Sequence, residues 1–545
     1  MSDTWRFNGD HHGLSWIASF RSTSSIESTP MKRILLLSLL LFVGQAYAQQ
    51  TEPSRYEVVR WGKNQSCHFE SFHENGGMMV YETDKTDENK NRLWGFVSLD
   101  SCLYEQGSDF IPLPSKFSFF DSKSTDPWAA FVFLNEKASK SDSVPFFVVA
   151  YNRYEQSFST FRDCLPGRSS LLSISLIDNG LLFAVNLKAG GGMLMHYDLD
   201  SHQQRVITPD VGNDIVLFQA TAVPEGKAFV VAAREYVNKH YKATSFLVYS
   251  REGRLLQTHR FENGENAVLG RMCFAFDRSR DLMVYATLER ESGKKVDLDG
   301  VTEDFSKIAI GVTWIKFASS GLRTRTYLFK DLPEIENALT PSDRLRVREE
   351  LLKMQRGKKK ERGEIAFQFL TPRLVRYGGQ WVFSAEAFQP IYHTETRMGY
   401  GFYGSYPTYY TVFDGYDFFS EILLAFDEEG ELQWQTSVRF ENDLSEQLTP
   451  HAVEAVVHDE LVVVSPSRNK LRYEVFDKDG TQLLDQHGVR LDFLNGADSF
   501  EDEYYAGIYR WYGDCFLVHG CQILHNAILR NPNRTVFYVQ KAQYE

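Results

Sequence analysis

The sequence predicts an all-β protein, a single β-propeller of eight four-stranded antiparallel blades, with seven blades as the alternative. Runs of alternating apolar and polar residues recur between turn signals along residues 49–545, and pairs of hairpins repeat at roughly 50 residues, the period of propeller blades. Aromatic residues make up 14% of the chain. One four-stranded sheet cannot bury both faces alone, whereas radial packing buries them and leaves only short edges. Two β-sandwiches in series are the competing arrangement. They require a linker near the middle, where the only candidate is the segment 331–364.

The first element is an export signal. Lys32 and Arg33 follow Met31 as a basic flank, residues 34–43 form an apolar run, and Gly44 ends it. Ala46-Tyr47-Ala48 places small residues where a signal peptidase reads, so cleavage falls between Ala48 and Gln49. The run is too short to span a bilayer permanently. Residues 1–30 are polar, Ser-rich and aperiodic, a poor leader for a signal, and are expected to be a disordered start-site artefact upstream of translation from Met31. The expected domains are therefore 1–30, the signal 31–48 and the propeller 49–545.

Eight units follow in order, each of two hairpins. Asn75-Gly76-Gly77 and the turn near Asp100 mark the first, and a poorer copy lies between Pro114 and Cys164. Asp178-Asn179-Gly180 pairs with the turn at 198–201, Pro224-Glu225-Gly226 with Arg251-Glu252-Gly253, and the turn at 277–281 with Ser319-Ser320-Gly321. Gly378-Gly379 pairs with Asp427-Glu428-Glu429-Gly430, and His458-Asp459 with Asp477-Lys478-Asp479-Gly480. Tyr512-Gly513-Asp514 and Asn531-Pro532-Asn533 complete the series. Leu471, Tyr473 and Val475 alternating with Arg472 and Glu474 illustrate the half-buried strand pattern between such turns.

Two insertions interrupt the series. In 331–364, Thr340-Pro341 supplies an N-cap and first helical residue with Asp343 in the first turn. Leu345, Leu351, Leu352 and Met354 offer a thin apolar stripe, and Arg356, Lys358, Lys359, Lys360 and Arg362 a basic cluster for an acidic partner or simply a solvated helix end. The second insertion, 388–418, is expected to be a Tyr-rich loop. Tyr400, Tyr403, Tyr406, Tyr409, Tyr410 and Tyr416, with Phe402, Phe413 and Phe418, are candidate stacking faces for a sugar or peptide, or else rings that order a long loop. His393, beside Glu395, is the histidine most worth testing. Connections between second and third strands, and between blades, emerge on one face of an up-and-down propeller. Both insertions and the loops at 235–243 and 289–304 are of these kinds and should share that face.

Charge and motifs narrow the function. The leader carries 4 basic and 3 acidic residues, so the 59 and 72 of the whole chain become 55 and 69, a net −14 that disfavours nucleic acid and anionic membrane. After the leader there is no long apolar run, so no transmembrane segment is expected. Six cysteines can oxidise after export, but none forms C-x-x-C, and Cys515 and Cys521 are too far apart to bridge if one strand carries both. No G-x-S-x-G, H-E-x-x-H or P-loop motif occurs, and no cofactor or metal is implied. The turns at Asp427 and Asp477 faintly resemble calcium loops, but Ala425 and Val475 stand where the first ligand belongs, so they read as hairpin turns. Asp297-Leu298-Asp299-Gly300 with Glu303 has a better claim, still below that of an exposed loop.

Gly378-Gly379-Gln380-Trp381-Val382-Phe383, the Tyr-rich insertion, and Ser420-Glu421-Ile422-Leu423-Leu424-Ala425-Phe426 leading to Gly430 and Leu432-Gln433-Trp434 resemble segments of uncharacterised exported bacterial β-propeller-like repeat proteins. The resemblance implies fold and export and carries no functional residue. The expected function is a cell-envelope binding or assembly module, in the periplasm or at the surface, presenting loops to a protein or glycan. A propeller-based hydrolase of carbohydrate or peptide with acids at the central tunnel is the alternative, and a purely structural envelope protein the third reading.

Overall fold

The computed structural model describes residues 54–60, 62, 65–135, 143–187, 191–209, 215–237, 240–264, 267–290, 308–356, 364–401 and 404–544. The predicted leader, its cleavage pair Ala48 and Gln49, and residues 1–30 lie outside them. Among the described residues the strands pair into eight antiparallel sheets, and in all but the last of them spatial order follows chain order. These are the eight blades. Their first strands are Cys67–Ser71, Ser118–Ser124, Ser169–Ile177, Ile215–Val223, Ala267–Phe276, Arg373–Tyr377, Val453–Val457 and Ser499–Arg510. Successive first strands contact one another, so they line the axis of the ring.

In the sixth blade the innermost position is shared by Gln368–Phe369 and Arg373–Tyr377, both paired with the next strand. The eighth blade is closed from the other end of the chain. Arg55–Val59 pairs antiparallel with the last strand, Asn533–Gln543, in the register Arg55↔Gln540 to Val59↔Val536.

Among the described residues the apolar core comprises eight large clusters, each shared by two neighbouring blades, and a ninth of four residues that adds to the blade 4–5 contact. Trp94 and Phe96 of blade 1 meet Phe131 and Phe133 of blade 2, with the Trp94 and Phe133 rings edge to face at 4.9 Å. Cys67, Phe69 and Met79 of blade 1 meet Leu517, Cys521 and Phe537 of blade 8, which closes the circle. Burying a large apolar side chain contributes about 1.5–3 kcal/mol, so each interface holds its two sheets together strongly. The arrangement excludes two independent sandwiches, whose cores would each be shared within one sheet pair. Cys515 and Cys521 share the strand Cys515–His525, and the six cysteines carry thiols.

The acidic turns are structural. Asp427 Oδ1 accepts the N–H groups of Glu429 and Glu431 at 2.9 Å each, and Asp477 Oδ1 those of Asp479 and Thr481 at the same distance. Gly430 (φ 75°) and Gly480 (φ 79°) then lie flat on the indoles of Trp314 and Trp434 in the preceding blade. A Cβ there would come within 2.2 Å and 2.6 Å of those rings. Each such turn fastens its blade to the one before. The segment 297–300 lies outside the described residues.

The insertion after blade 5 contains the 3-10 turns Phe329–Asp331 and Ile335–Ala338 and the helix Pro341–Gln355. Thr340 caps it as expected, its Oγ1 accepting the Asp343 N–H at 3.2 Å. The expected apolar stripe is corrected at two of its four members, the side chains of Leu351 and Met354 lying outside the described residues. Leu345 and Leu352 are exposed, and Val347 is the buried one among the helix's described side chains, docked in the blade 5–6 core. The second correction concerns 388–418, which is no loop. Gln380–Gly401 and Gly404–Phe426 are two long paired strands. Tyr, Thr and Phe favour extended backbone, and the glycines gather at the tip.

Candidate functional site

The hairpin of blade 6 continues past the blade as an arm. From Ile391↔Gly415 outward its strands pair only with each other among the described residues. Cross-strand partners share a face, so the register sorts the side chains into two sets. One face carries Tyr392↔Phe413, Thr394↔Thr411, Thr396↔Tyr409 and Met398↔Pro407, without a charge. Its rings and thioether are open to solvent: Tyr409 is 68% exposed, Tyr392 56%, Met398 54% and Phe413 42%. The other face carries His393↔Val412, Glu395↔Tyr410 and Arg397↔Thr408.

The charged face is internally paired. A bulge at Tyr392 leaves Asp414 free to reach back, and its Oδ1 lies 2.5 Å from His393 Nδ1. That hydrogen bond holds the imidazole above its ordinary pKa. Arg397 donates to Glu395 Oε2 at 2.9 Å and covers the Tyr410 ring at 5.5 Å.

The predicted residues therefore separate. Tyr409 lies on the uncharged face, and Tyr406, Tyr410 and His393 on the charged one. Tyr416 is half-buried at the root, edge to face with Phe388 at 5.7 Å and Phe413 at 4.9 Å, where it anchors the arm. Tyr403 lies outside the described residues, as does the side chain of Tyr400. Of the basic cluster, Arg356 is exposed just after the helix, and Lys358, Lys359 and Lys360 lie outside the described residues. Tyr392 and Met398 were missed because a loop was expected. The alternation of Tyr392, Thr394 and Thr396 is the signal that places them.

Beneath the arm, at its root, lies a buried ionic cluster. Arg373 of the innermost strand forks onto Glu454 of the next blade, Nε to Oε2 at 2.9 Å and Nη2 to Oε1 at 2.7 Å. The same guanidinium donates to Glu421 Oε1 at 2.8 Å and pairs with Glu386. Glu386 Oε2 also accepts the backbone N–H of His451 at 2.7 Å. The three carboxylate side chains are 0%, 0% and 1% exposed for Glu386, Glu421 and Glu454. Burial, then the neighbouring Glu454 charge, pushes Glu421 well above the usual carboxylate range. Burial acts in the same sense on Glu454, but Arg373 outweighs it and the net direction is down. No sequence signal assembles these residues. Glu386 and Glu421 interrupt the apolar runs 381–388 and 418–426, which marks them as inward-facing charges but not as partners.

Compared with known proteins, the chain matches no family model and no curated protein. Among solved structures it is similar to a prolyl endopeptidase, at 10% identity and a TM-score of 0.37, covering 92% of this chain and 59% of that one. Prolyl oligopeptidase B from Galerina marginata gives 10% identity and 0.36, with 91% and 61% covered. The β-propeller domain of the Trilobed protease from Pyrococcus furiosus gives 8% and 0.34, with 79% and 98% covered. This chain thus spans about three fifths of the two peptidases. Likenesses this weak add nothing to the fold read from strand pairing, and nothing about activity.

Proposed function

We propose that the chain is an exported, non-catalytic binding module of the cell envelope, and that it captures a protein or glycan partner through the uncharged face of the blade 6 arm. The segregation of the arm's two faces carries the reading. Charges on one face satisfy one another, while four large side chains on the opposite face stand in water with no polar duty. A two-stranded ribbon is marginal in isolation, so an arm held only at its root is costly unless something covers it. Rigid scaffolds commonly present recognition on such projections. Export rests on the leader pattern at residues 31–48.

The test replaces 390–417 by a short turn and immobilises both forms against envelope extract. The shortened chain should melt like the parent and lose capture. Tyr409→Ser should weaken capture at least about tenfold, as truncation of a central aromatic anchor does, and Tyr410→Ser should leave it nearly intact. Equal capture by parent and shortened chain sinks the proposal.

A second reading, a hydrolase, draws on Glu421 and Glu454. Two carboxylates whose environments drive their pKa values apart are suited to be a proton donor and its ionised partner. Their complete burial keeps substrate away in this conformation, which makes it the weaker reading. Turnover of a polysaccharide or peptide, abolished by Glu421→Gln, would establish it.

A further inference from the structure

A cavity of about 410 Å³ opens beside the outer strand of blade 6, Leu432–Ser445, under the 3-10 turn Ile335–Ala338 of the helical insertion. This is within the size range of small-ligand pockets. Trp434, Val438 and Phe440 of that strand point into the blade 6–7 core. The alternation of a strand therefore turns Gln435, Ser437 and Arg439 to the other side, where Arg344 of the helix also lines the cavity. Ile335, Ile422 and Leu424 supply an apolar wall.

Two features there carry the inference, although Arg344 also donates to the Glu336 and Leu339 carbonyls at 3.1 Å and 3.3 Å and so helps to hold the turn. Arg439 Nε donates to the Asn337 carbonyl at 2.9 Å, and Arg344 Nη2 donates to the same oxygen at 3.0 Å. Two guanidiniums are thus drawn together on one carbonyl. Neither pairs with a carboxylate among the described residues, whereas the acids Glu474 and Asp485 in the same lining are taken up by Arg472, at 2.5 Å and 3.2 Å, and Glu334 is the remaining acid of the lining. Like charges held side by side without a counter-ion favour an anion. Next to them, the Gln435 amide nitrogen and oxygen are both buried and both lack a hydrogen-bond partner. An amide offers one kind of donor and one acceptor, and leaving either unmet in a buried place is destabilising. At the rim Glu334 holds a left-handed backbone, φ 61°, a strained conformation of the kind that gathers at binding sites.

We propose that this cavity binds a monoanionic sugar acid, a uronate, with its carboxylate on Arg344 and Arg439 and its hydroxyls on Gln435 and Ser437. A fully ionised inorganic anion satisfies the guanidiniums but has no O–H for the Gln435 oxygen. A neutral sugar satisfies the amide and leaves the guanidiniums uncompensated. A hydroxylated carboxylate meets both demands, and the wall of Ile335, Ile422 and Leu424 suits the C–H face of a pyranose ring. The inference does not depend on the arm. A chain lacking 390–417 should bind the sugar acid as the parent does.

The experiment titrates the full chain with sodium glucuronate, glucose and sodium phosphate by calorimetry at low salt. Glucuronate should bind saturably at one site, and the other two at least about tenfold more weakly, since each lacks one charge-assisted or neutral contact set. Arg439→Ala should weaken glucuronate at least about tenfold without lowering the melting temperature, because Arg439 is exposed. Gln435→Leu fills the same space, removes both unmet amide atoms, and should weaken glucuronate while making the chain no less stable. Absence of saturable glucuronate binding overturns the proposal, since the Gln435 amide is then met by water. Affinity unchanged in both variants, phosphate binding as tightly as glucuronate, or glucose doing so overturns it equally.

Discussion

Arg373 gathers three carboxylates from strands separated by as much as 81 residues of chain, and its removal should be the most damaging single change at the ring axis. Taking one partner from a buried ionic cluster leaves charge uncompensated and costs about 3–5 kcal/mol. Arg373→Met keeps the length of the side chain and loses the fork. Because burial and Glu454 already raise Glu421 above its ordinary value, the stability it lends is complete at low pH and is lost as pH rises through that raised value. Glu454 behaves oppositely while Arg373 is present. Without Arg373, burial acts unopposed on Glu421 and Glu454, and both resist ionisation. The variant's deficit in urea unfolding should therefore be larger at pH 8 than at pH 5, and an equal deficit at both would contradict this account. At this scale the sequence is least informative. Glu386 and Glu421 were legible as charges inside apolar runs, but convergence on one guanidinium is a property of the ring.

Elements were legible where local chemistry decides them and misread where packing decides. Thr340-Pro341 opens the helix as expected because a cap is a local hydrogen bond. The apolar stripe was misread at Leu345 and Leu352, because among the described side chains it is Val347 that enters the niche made by blades 5 and 6. The arm was taken for a loop because glycines 399, 401, 404 and 415 outweighed the alternation of Tyr392, Thr394 and Thr396. Three of those glycines simply build the tip. Gly415, at φ 146°, sits at the bulge where the arm leaves the blade. An element supported only at its root should open independently of the ring. Amide exchange in residues 391–398 of the unliganded chain should be at least about a thousandfold faster than in 381–387, where the strand is covered on both sides. Mass spectrometry of exchange reads both segments at once, and matching protection would show the arm to be part of the cooperative core.

The whole molecule is a closed circuit of eight interfaces, and the circuit depends on five residues from the opposite end of the described chain. The 50-residue period made eight blades readable because each blade repeats the same turn chemistry. Ring closure was not readable: Arg55–Val59 has no turn joining it to its partner, so nothing local announces it. Its side chains nonetheless bind tightly. Arg55 is buried, donating to Glu57 at 2.7 Å, Gln540 at 3.0 Å and Gln522 at 2.9 Å, with its guanidinium 4.1 Å from the centre of the Tyr538 ring. Deleting 54–60 removes that network and leaves Asn533–Gln543 as an open edge, free to pair with another copy. The truncated chain should melt at least about 5 °C lower and associate with rising concentration in light scattering. A peptide of residues 54–60 added in excess should recover part of both losses, because it binds the folded ring and not the unfolded chain. A truncated chain that melts like the parent and stays monomeric would mean that the eight interfaces hold without closure, and that the N-terminal strand merely decorates a ring already stable.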